Sequence, residues 1–198
     1  MSSTRPTAGS RPGRVRPLRA LAFALLLALS GGMAAADQND PELSALFARL
    51  QQDLTPEEAA EVDRRIWLLW LHSEDKTVNR LMAQGMIAMQ RGALDRALDR
   101  FNDIVERAPD FAEGWNKRAT VLYMMGRHRE SVADVQQVLN LEPRHYGALS
   151  GLGMILVALG REEDALEWLG RALELNPYLD GIRVLSDRIG ERLKGKRI

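Results

Sequence analysis

Few residues in this sequence have the type and spacing that catalysis or metal binding requires. The three histidines, His72, His128 and His145, form no pair at metal-ligand spacing on one helix, and no acid or nucleophile is recognisable near them in sequence. The chain has no cysteine, which excludes a thiolate nucleophile, a cysteine metal site and a disulfide framework. The sequence therefore gives no support for an enzyme and requires no cofactor.

One group of methionines has a spacing that could bind a metal. Met82, Met86 and Met89 are separated by four and three residues, which places all three on one face of a helix. Thioether sulfur is a soft ligand that suits Cu(I). Methionines at helical spacing more often line a core or a groove, so a periplasmic Cu(I)-handling protein is the alternative hypothesis.

A period of 34 residues organises the middle of the chain. It relates prolines, glycines and large apolar residues in three successive copies, residues 78–111, 112–145 and 146–179. The recurring residues are Pro109, Pro143 and Pro177; Gly92, Gly126 and Gly160; and Leu81, Trp115 and Leu149. A fixed period of this size predicts a stack of identical supersecondary units.

Each copy is predicted to form two helices. Apolar residues recur at helical spacing on both sides of the glycine, which permits a left-handed backbone at the turn. The proline ends the second helix, because it cannot continue one. Small residues are expected where the two helices approach closely, next to larger Phe101, Val135 and Leu169. These small residues are Gly85, Ala119, Gly153, Ala97, Ser131 and Ala165.

These positions resemble the tetratricopeptide-repeat family, and the third copy matches its pattern best. The second copy departs at Arg118, and the first departs at Gln84 and Ala88, where larger apolar residues are usual. The resemblance implies an all-α fold, a right-handed superhelical stack of helical hairpins. It is specific for fold and not for a particular function, because the family is defined by packing residues.

The flanking segments are predicted to close the two ends of the stack. Residues 37–77 contain a linker and a helical hairpin, whose second helix opens with the capping box Thr55 to Glu58. We expect this hairpin to be an N-terminal cap, although Trp67 and Trp70 could instead form a second binding site. Residues 180–198 are predicted to form a C-terminal capping helix with a basic tail.

The first 36 residues read as a secretory signal peptide. An arginine-rich start precedes an apolar core, and a run of alanines ends before Asp37. These residues carry five arginines and no acid, so the remainder has 22 basic and 27 acidic residues, a net charge of −5. Such a domain is a poor candidate for binding nucleic acid. We expect a periplasmic protein; the alternative is an uncleaved anchor in the inner membrane.

The informative surface is the inner face of the stack, which the first helix of each repeat would line. In this family the inward positions are fixed within the repeat, and here they are methionine-rich at one end and polar at the other. The expected ligand is an amphipathic helix or extended peptide of a partner protein. Capture of a C-terminal carboxylate is not favoured, since the first repeat offers methionines where cations are needed. The oligomeric state stays open. The predicted groove residues are Asn79, Met82, Met86, Met89, Glu113, Asn116, Thr120, Tyr123, Met124, Ser150, Met154 and Val157.

Overall fold

The structure, a computed structural model, describes residue 38 and residues 40–195. This part of the chain contains nine α-helices and no β-strand, so the all-α prediction is confirmed. The helices are α1 (Pro41–Leu50), α2 (Pro56–Leu71), α3 (Lys76–Gln90), α4 (Leu94–Arg107), α5 (Ala112–Met124), α6 (His128–Leu141), α7 (Tyr146–Ala158), α8 (Glu162–Leu175) and α9 (Asp180–Gly195). Three hairpins, α3–α4, α5–α6 and α7–α8, pack side by side to form the stack.

Side-chain caps fix the starts of the first two helices. The Asp40 carboxylate accepts a hydrogen bond of 2.7 Å from the backbone N–H of Glu42. The Thr55 hydroxyl accepts from the N–H of Glu58, and the Glu58 carboxylate accepts from the N–H of Thr55. Each cap satisfies donors that the helix itself leaves free. The predicted capping box is therefore present.

Glycine closes the turn inside each hairpin of the stack. Gly92, Gly126 and Gly160 have φ values of 69°, 73° and 73°, in the left-handed region that glycine adopts without a steric cost. Their backbone N–H groups bond carbonyls of the preceding helical turn, at 2.9 to 3.0 Å. The same turn therefore recurs every 34 residues.

Glycine also permits close contact between paired helices. A Cβ added to Gly85 would lie 2.6 Å from the Phe101 ring, and one added to Gly153 would lie 2.5 Å from Leu169. In the middle repeat, the Ser131 hydroxyl donates a 2.7 Å hydrogen bond to a buried backbone carbonyl of α5. The predicted small-to-large contacts at Gly85 and Gly153 are thus observed.

The α1–α2 hairpin does not cap the free end of α3–α4, so the expectation of an N-terminal cap there is wrong. It lies instead against the second and third hairpins. The Tyr146 hydroxyl of α7 donates to the Asp63 carboxylate of α2 at 2.7 Å, and the Tyr178 hydroxyl donates to the Gln52 carbonyl at 2.6 Å. At its other end, α2 reaches the core of the first hairpin through Leu71. The helix α2 therefore crosses the stack from the third repeat to the first.

Aromatic packing explains this position. The rings of Phe47 and Trp70 pack against Tyr146, with centroids 6.2 and 5.0 Å away, and Trp70 is 1% exposed. Burial of large rings is a main source of stability in a small domain. On α3, the exposed Gln84 and the small Ala88 stand where larger apolar residues would support a stacked cap. The large rings of the hairpin are thus buried against the inner face of the stack.

At the C-terminal end of the stack, α9 packs along α8 and Ile189 is completely buried. The signal-peptide prediction for residues 1–36 lies outside the described residues, as does the end of the basic tail, residues 196–198. Among the helices that the structure describes, none is long and apolar enough to cross a membrane.

Candidate partner-binding site

Helix α2 occupies part of the predicted groove. Trp67 lies on the inner face between α5 and α7, with the Lys117 ammonium 5.2 Å from its ring centroid. A Cβ on Gly147 would be 2.6 Å from the same ring, so this position must be glycine for Trp67 to approach the α7 backbone. The chain therefore places one of its own helices where a partner helix was expected.

A buried polar cluster lies beneath this helix. The Glu113 carboxylate is 1% exposed and accepts hydrogen bonds from Asn116 Nδ2 at 2.8 Å and from His145 Nε2 at 2.9 Å. Its other oxygen, Oε1, faces the Lys117 ammonium at 2.8 Å. Burial raises the pKa of the Glu113 carboxyl, but attraction to Lys117 and the hydrogen bond with His145 outweigh burial and hold this pKa below its usual value. Glu113 is thus a buried, paired anion.

The hydrogen bonds of His145 assign its tautomer. Its Nδ1 accepts a 3.1 Å hydrogen bond from the N–H of Ala148, so Nε2 carries the proton that Glu113 accepts. The Trp70 ring stacks on the imidazole at 4.0 Å and 11°. Glu113 and His145 are an acid and a base, but no substrate can reach them, because both side chains are 0% exposed. The second ring nitrogen of His145 is already used to cap α7. The pair has a structural role.

In the first repeat, one of the four predicted groove residues is buried. Met82 is 3% exposed and belongs to the core around Val78 and Phe101, so its assignment to the groove surface is wrong. Asn79 bonds the backbone N–H and carbonyl of Ser73 at 2.9 and 2.5 Å, and so shapes the turn before α3. Met82 is buried because α2 ends beside this part of α3, where Leu71 packs against the same core. Met86 and Met89 are partly buried against the same core.

This arrangement weakens the copper hypothesis. With Met82 in the core, the three thioethers are not presented together on an exposed helix face. In the part of the chain that the structure describes, no group of three or more His, Cys, Asp or Glu side chains could hold a metal ion.

The second and third repeats divide into a covered and an open part. Glu113, Asn116 and Ser150 are buried, at 1%, 7% and 7% exposure, which corrects their assignment to an open groove. They lie towards the start of α5 and α7, whereas the open part lies further along these helices. Its residues are the exposed Thr120, Met124 and Met154 and the partly buried Tyr123 and Val157.

The open part contains a cavity of 240 Å³ between α2, α5, α6 and α7. Trp67 forms one wall, Thr120 and Tyr123 form a second, and Gly151 and Met154 form a third. We call it the Trp67–Gly151 cavity. The sequence raised Trp67 as part of a second binding site on the hairpin, but it did not place Trp67 in the groove, because the 34-residue period says nothing about where the N-terminal hairpin lies.

Comparisons with known proteins agree with this architecture. A family model described as tetratricopeptide repeat matches residues 82–128 and 116–180. A TPR repeat-containing protein of Rhizobium etli is 36% identical over 155 residues, which cover 78% of this chain and 76% of that protein.

Two solved structures share the fold. The TPR2B domain of yeast Sti1, in a complex with pHsp70, superposes with a TM-score of 0.55 and 18% identity, covering 60% of this chain and 99% of that one. The first TPR domain of Spaghetti (RPAP3), bound to the HSP90 peptide SRMEEVD, gives 0.58 and 21%, covering 61% and 96%. The repeats, their helical hairpins and these matches agree: the chain belongs to the tetratricopeptide-repeat family.

Proposed function

We propose that this protein is a non-catalytic scaffold that binds a partner protein of the bacterial periplasm on the open part of its inner face. The observation that carries the proposal is the solvent-exposed apolar surface there. Met124 and Met154 are 50% and 38% exposed, beside a cavity, on a face whose other half is covered by α2. Methionine surfaces adapt to apolar partners of different shapes. Both solved relatives described above were determined with a bound partner or peptide.

The fully buried Glu113–His145 pair supports a role without chemistry. An acid–base pair acts on a substrate only when a reacting group can come within hydrogen-bonding distance. Here both side chains are fully buried, and each is held by contacts inside the protein.

The test of this function is affinity capture with the full chain, exported by its own residues 1–36 and tagged after residue 198. The variant is Met154→Asp, which places a charge on the open part of the inner face. Its matched control is Val184→Asp, because Val184 is also exposed, at 47%, but lies on α9. We expect a partner to be retained by the unmodified and Val184→Asp chains and lost by Met154→Asp. Equal capture by all three chains would move the binding site elsewhere.

The location is a separate part of the proposal. The apolar core and alanine run of residues 1–36 support export and cleavage before Asp37. Mass measurement of the protein from a periplasmic extract should give a chain that begins at Asp37. A membrane-bound chain that retains residues 1–36 would establish the anchored alternative, and an intact chain in the cytoplasm would contradict export.

A further inference from the structure

The Trp67–Gly151 cavity has the properties of a receptor for a single side chain. We propose that it receives one large, uncharged side chain, aromatic or branched aliphatic, from a helix of the partner protein. This inference rests on the proposed function and specifies the chemistry of the partner at this point.

The lining offers no free charge to a ligand. The charged residue in the lining is Lys117. Its ammonium is already 2.8 Å from the buried Glu113 carboxylate and lies over the Trp67 ring. Other polar lining groups also bond within the protein: the Thr120 hydroxyl donates to the Asn116 carbonyl at 2.9 Å. A charged occupant would lose its hydration without gaining a counter-ion, which is strongly unfavourable. The cavity therefore selects an uncharged group.

Gly151 keeps the cavity open. A glycine inside a helix costs about 0.5–1 kcal/mol relative to alanine, and this one is not required by contacts within the chain. A Cβ added there would meet no atom within 4 Å, whereas one added at Gly147 would meet Trp67. Because Gly147 and Gly151 lie one helical turn apart, the α7 backbone between Trp67 and Met154 is left bare. A side chain from outside can thus lie directly against α7.

The volume fits a single side chain. An enclosed apolar cavity of about 150 Å³ binds benzene, so 240 Å³ admits a larger ring or a branched chain. Met154 and Thr120 are exposed at its edge, so the cavity can be reached from solvent.

The interface between α2 and the inner face shows which kind of side chain packs on this face. Helix α2 already lies across it and contributes two indole rings, Trp67 against Gly147 and Trp70 stacked on His145. The cavity continues this interface on the open side of Trp67. A partner helix beside α2 that inserts a similar side chain would extend an arrangement that the chain already uses.

The cavity can be tested with amino-acid amides that mimic single side chains. The probes are N-acetyl-L-tryptophanamide and N-acetyl-L-leucinamide, with the lysine and glutamate equivalents as charged comparisons. They are titrated into the isotope-labelled full chain, purified as it is exported, while backbone amide resonances are recorded. We expect saturable shifts at Gly147, Gly151 and Thr120 with the uncharged probes, and binding at least tenfold weaker with the charged ones.

The blocking variant is Gly151→Leu, which fills the cavity at a position where an added Cβ meets nothing. Its control is Gly170→Leu on α8, where an added Cβ also meets nothing. Loss of the shifts in Gly151→Leu, with retention in Gly170→Leu, supports the proposal, provided both chains keep their helicity and melting temperature. If Gly151→Leu loses its fold, Gly151→Ala replaces it and must weaken binding.

Three results would overturn the proposal: no saturable shift, shifts unchanged in the blocking variant, or charged probes that bind as tightly as uncharged ones. Such a failure is distinguishable from failure of the proposed function. If the probes do not bind while Met154→Asp still abolishes capture, the cavity proposal fails and the scaffold proposal stands. If the probes bind but Met154→Asp leaves capture unchanged, the cavity accepts uncharged groups, but the partner binds elsewhere and the proposed site on the inner face fails.

Discussion

His145 Nε2 lies 2.9 Å from Glu113 Oε2, and this contact joins the two ends of the second repeat beneath the Trp70 ring. Both side chains are fully buried. Because Trp70 of the hairpin stacks on His145, the pair links the inner face of the stack to the hairpin that covers it. The stability of this interface therefore depends on the buried negative charge of Glu113.

Removal of that charge should cost the fold several kcal/mol. Glu113→Ala leaves Lys117, Asn116 and His145 without their shared partner, and breaking a buried pair in this way costs about 3–5 kcal/mol. Glu113→Gln keeps the shape and an acceptor, so its cost should be smaller. Urea unfolding of the variants measures both values. Glu130→Gln, at an exposed pair with Arg127, is the control and should leave the free energy of unfolding almost unchanged.

The same carboxylate should make stability depend on pH. Burial alone would raise its pKa, but Lys117 and His145 hold it below the usual 4.5 in the folded protein. As the pH falls, the unfolded chain therefore takes up a proton at Glu113 before the folded chain does, and the folded state loses stability. The contribution is complete at neutral pH and is lost progressively below about pH 5.

The measurement is the difference in unfolding free energy between the unmodified chain and Glu113→Gln, from pH 7 to pH 3. Because both chains carry all the other acids, this difference isolates Glu113. It should shrink as the pH falls. A difference that stays constant over this range would mean that Glu113 does not titrate differently in the two states.

The turn glycines and the helix glycines should respond in opposite directions to alanine. Gly126 has a φ of 73°, where alanine costs about 1–2 kcal/mol, so Gly126→Ala should lower the free energy of unfolding. Gly170 lies within α8 with open space at the Cβ position, so Gly170→Ala should raise it by about 0.5–1 kcal/mol. Thermal and urea unfolding of the two variants check both signs. A stabilised Gly126→Ala would contradict the left-handed turn.

The sequence predicted well those features that depend on residues close together in the chain and that recur every 34 residues. The turn glycines, the terminating prolines and the close contacts at Gly85 and Gly153 each follow from residues within one repeat. Arg118, a departure from the family pattern, is accommodated locally too: its guanidinium bonds both oxygens of the Asp134 carboxylate at 2.7 Å and lies over Trp115.

The position of the N-terminal hairpin could not be predicted in this way, because contacts between distant residues determine it. Asp63 and Tyr146 are 83 residues apart, and Gln51 donates to the carbonyl of Leu175, 124 residues away. One signal was present in the sequence: Gln84 and Ala88 replace larger apolar residues at the face that a stacked cap would have covered. Met82 was assigned to the open groove for the same reason, whereas it lies in the core.

The docked hairpin should behave as part of the folded core. Trp70 is 1% exposed, and its ring covers His145 and packs against Tyr146, so Trp70→Ala should cost about 3–5 kcal/mol. Leu68, on the same helix, is 54% exposed, and Leu68→Ala should change stability by less than about 0.5 kcal/mol.

Hydrogen exchange then locates the effect of Trp70→Ala. The N–H of Ala148 donates to His145 Nδ1 directly beneath the Trp70 ring, so its exchange should become faster in Trp70→Ala and stay unchanged in Leu68→Ala. If Trp70→Ala unfolds the chain, Trp70→Leu, which keeps an apolar side chain there, should show the same local acceleration with a smaller loss of stability. Equal protection of Ala148 in the unmodified chain and the Trp70 variants would show that the hairpin does not protect the inner face. The groove beneath α2 would then be open to a partner along its full length.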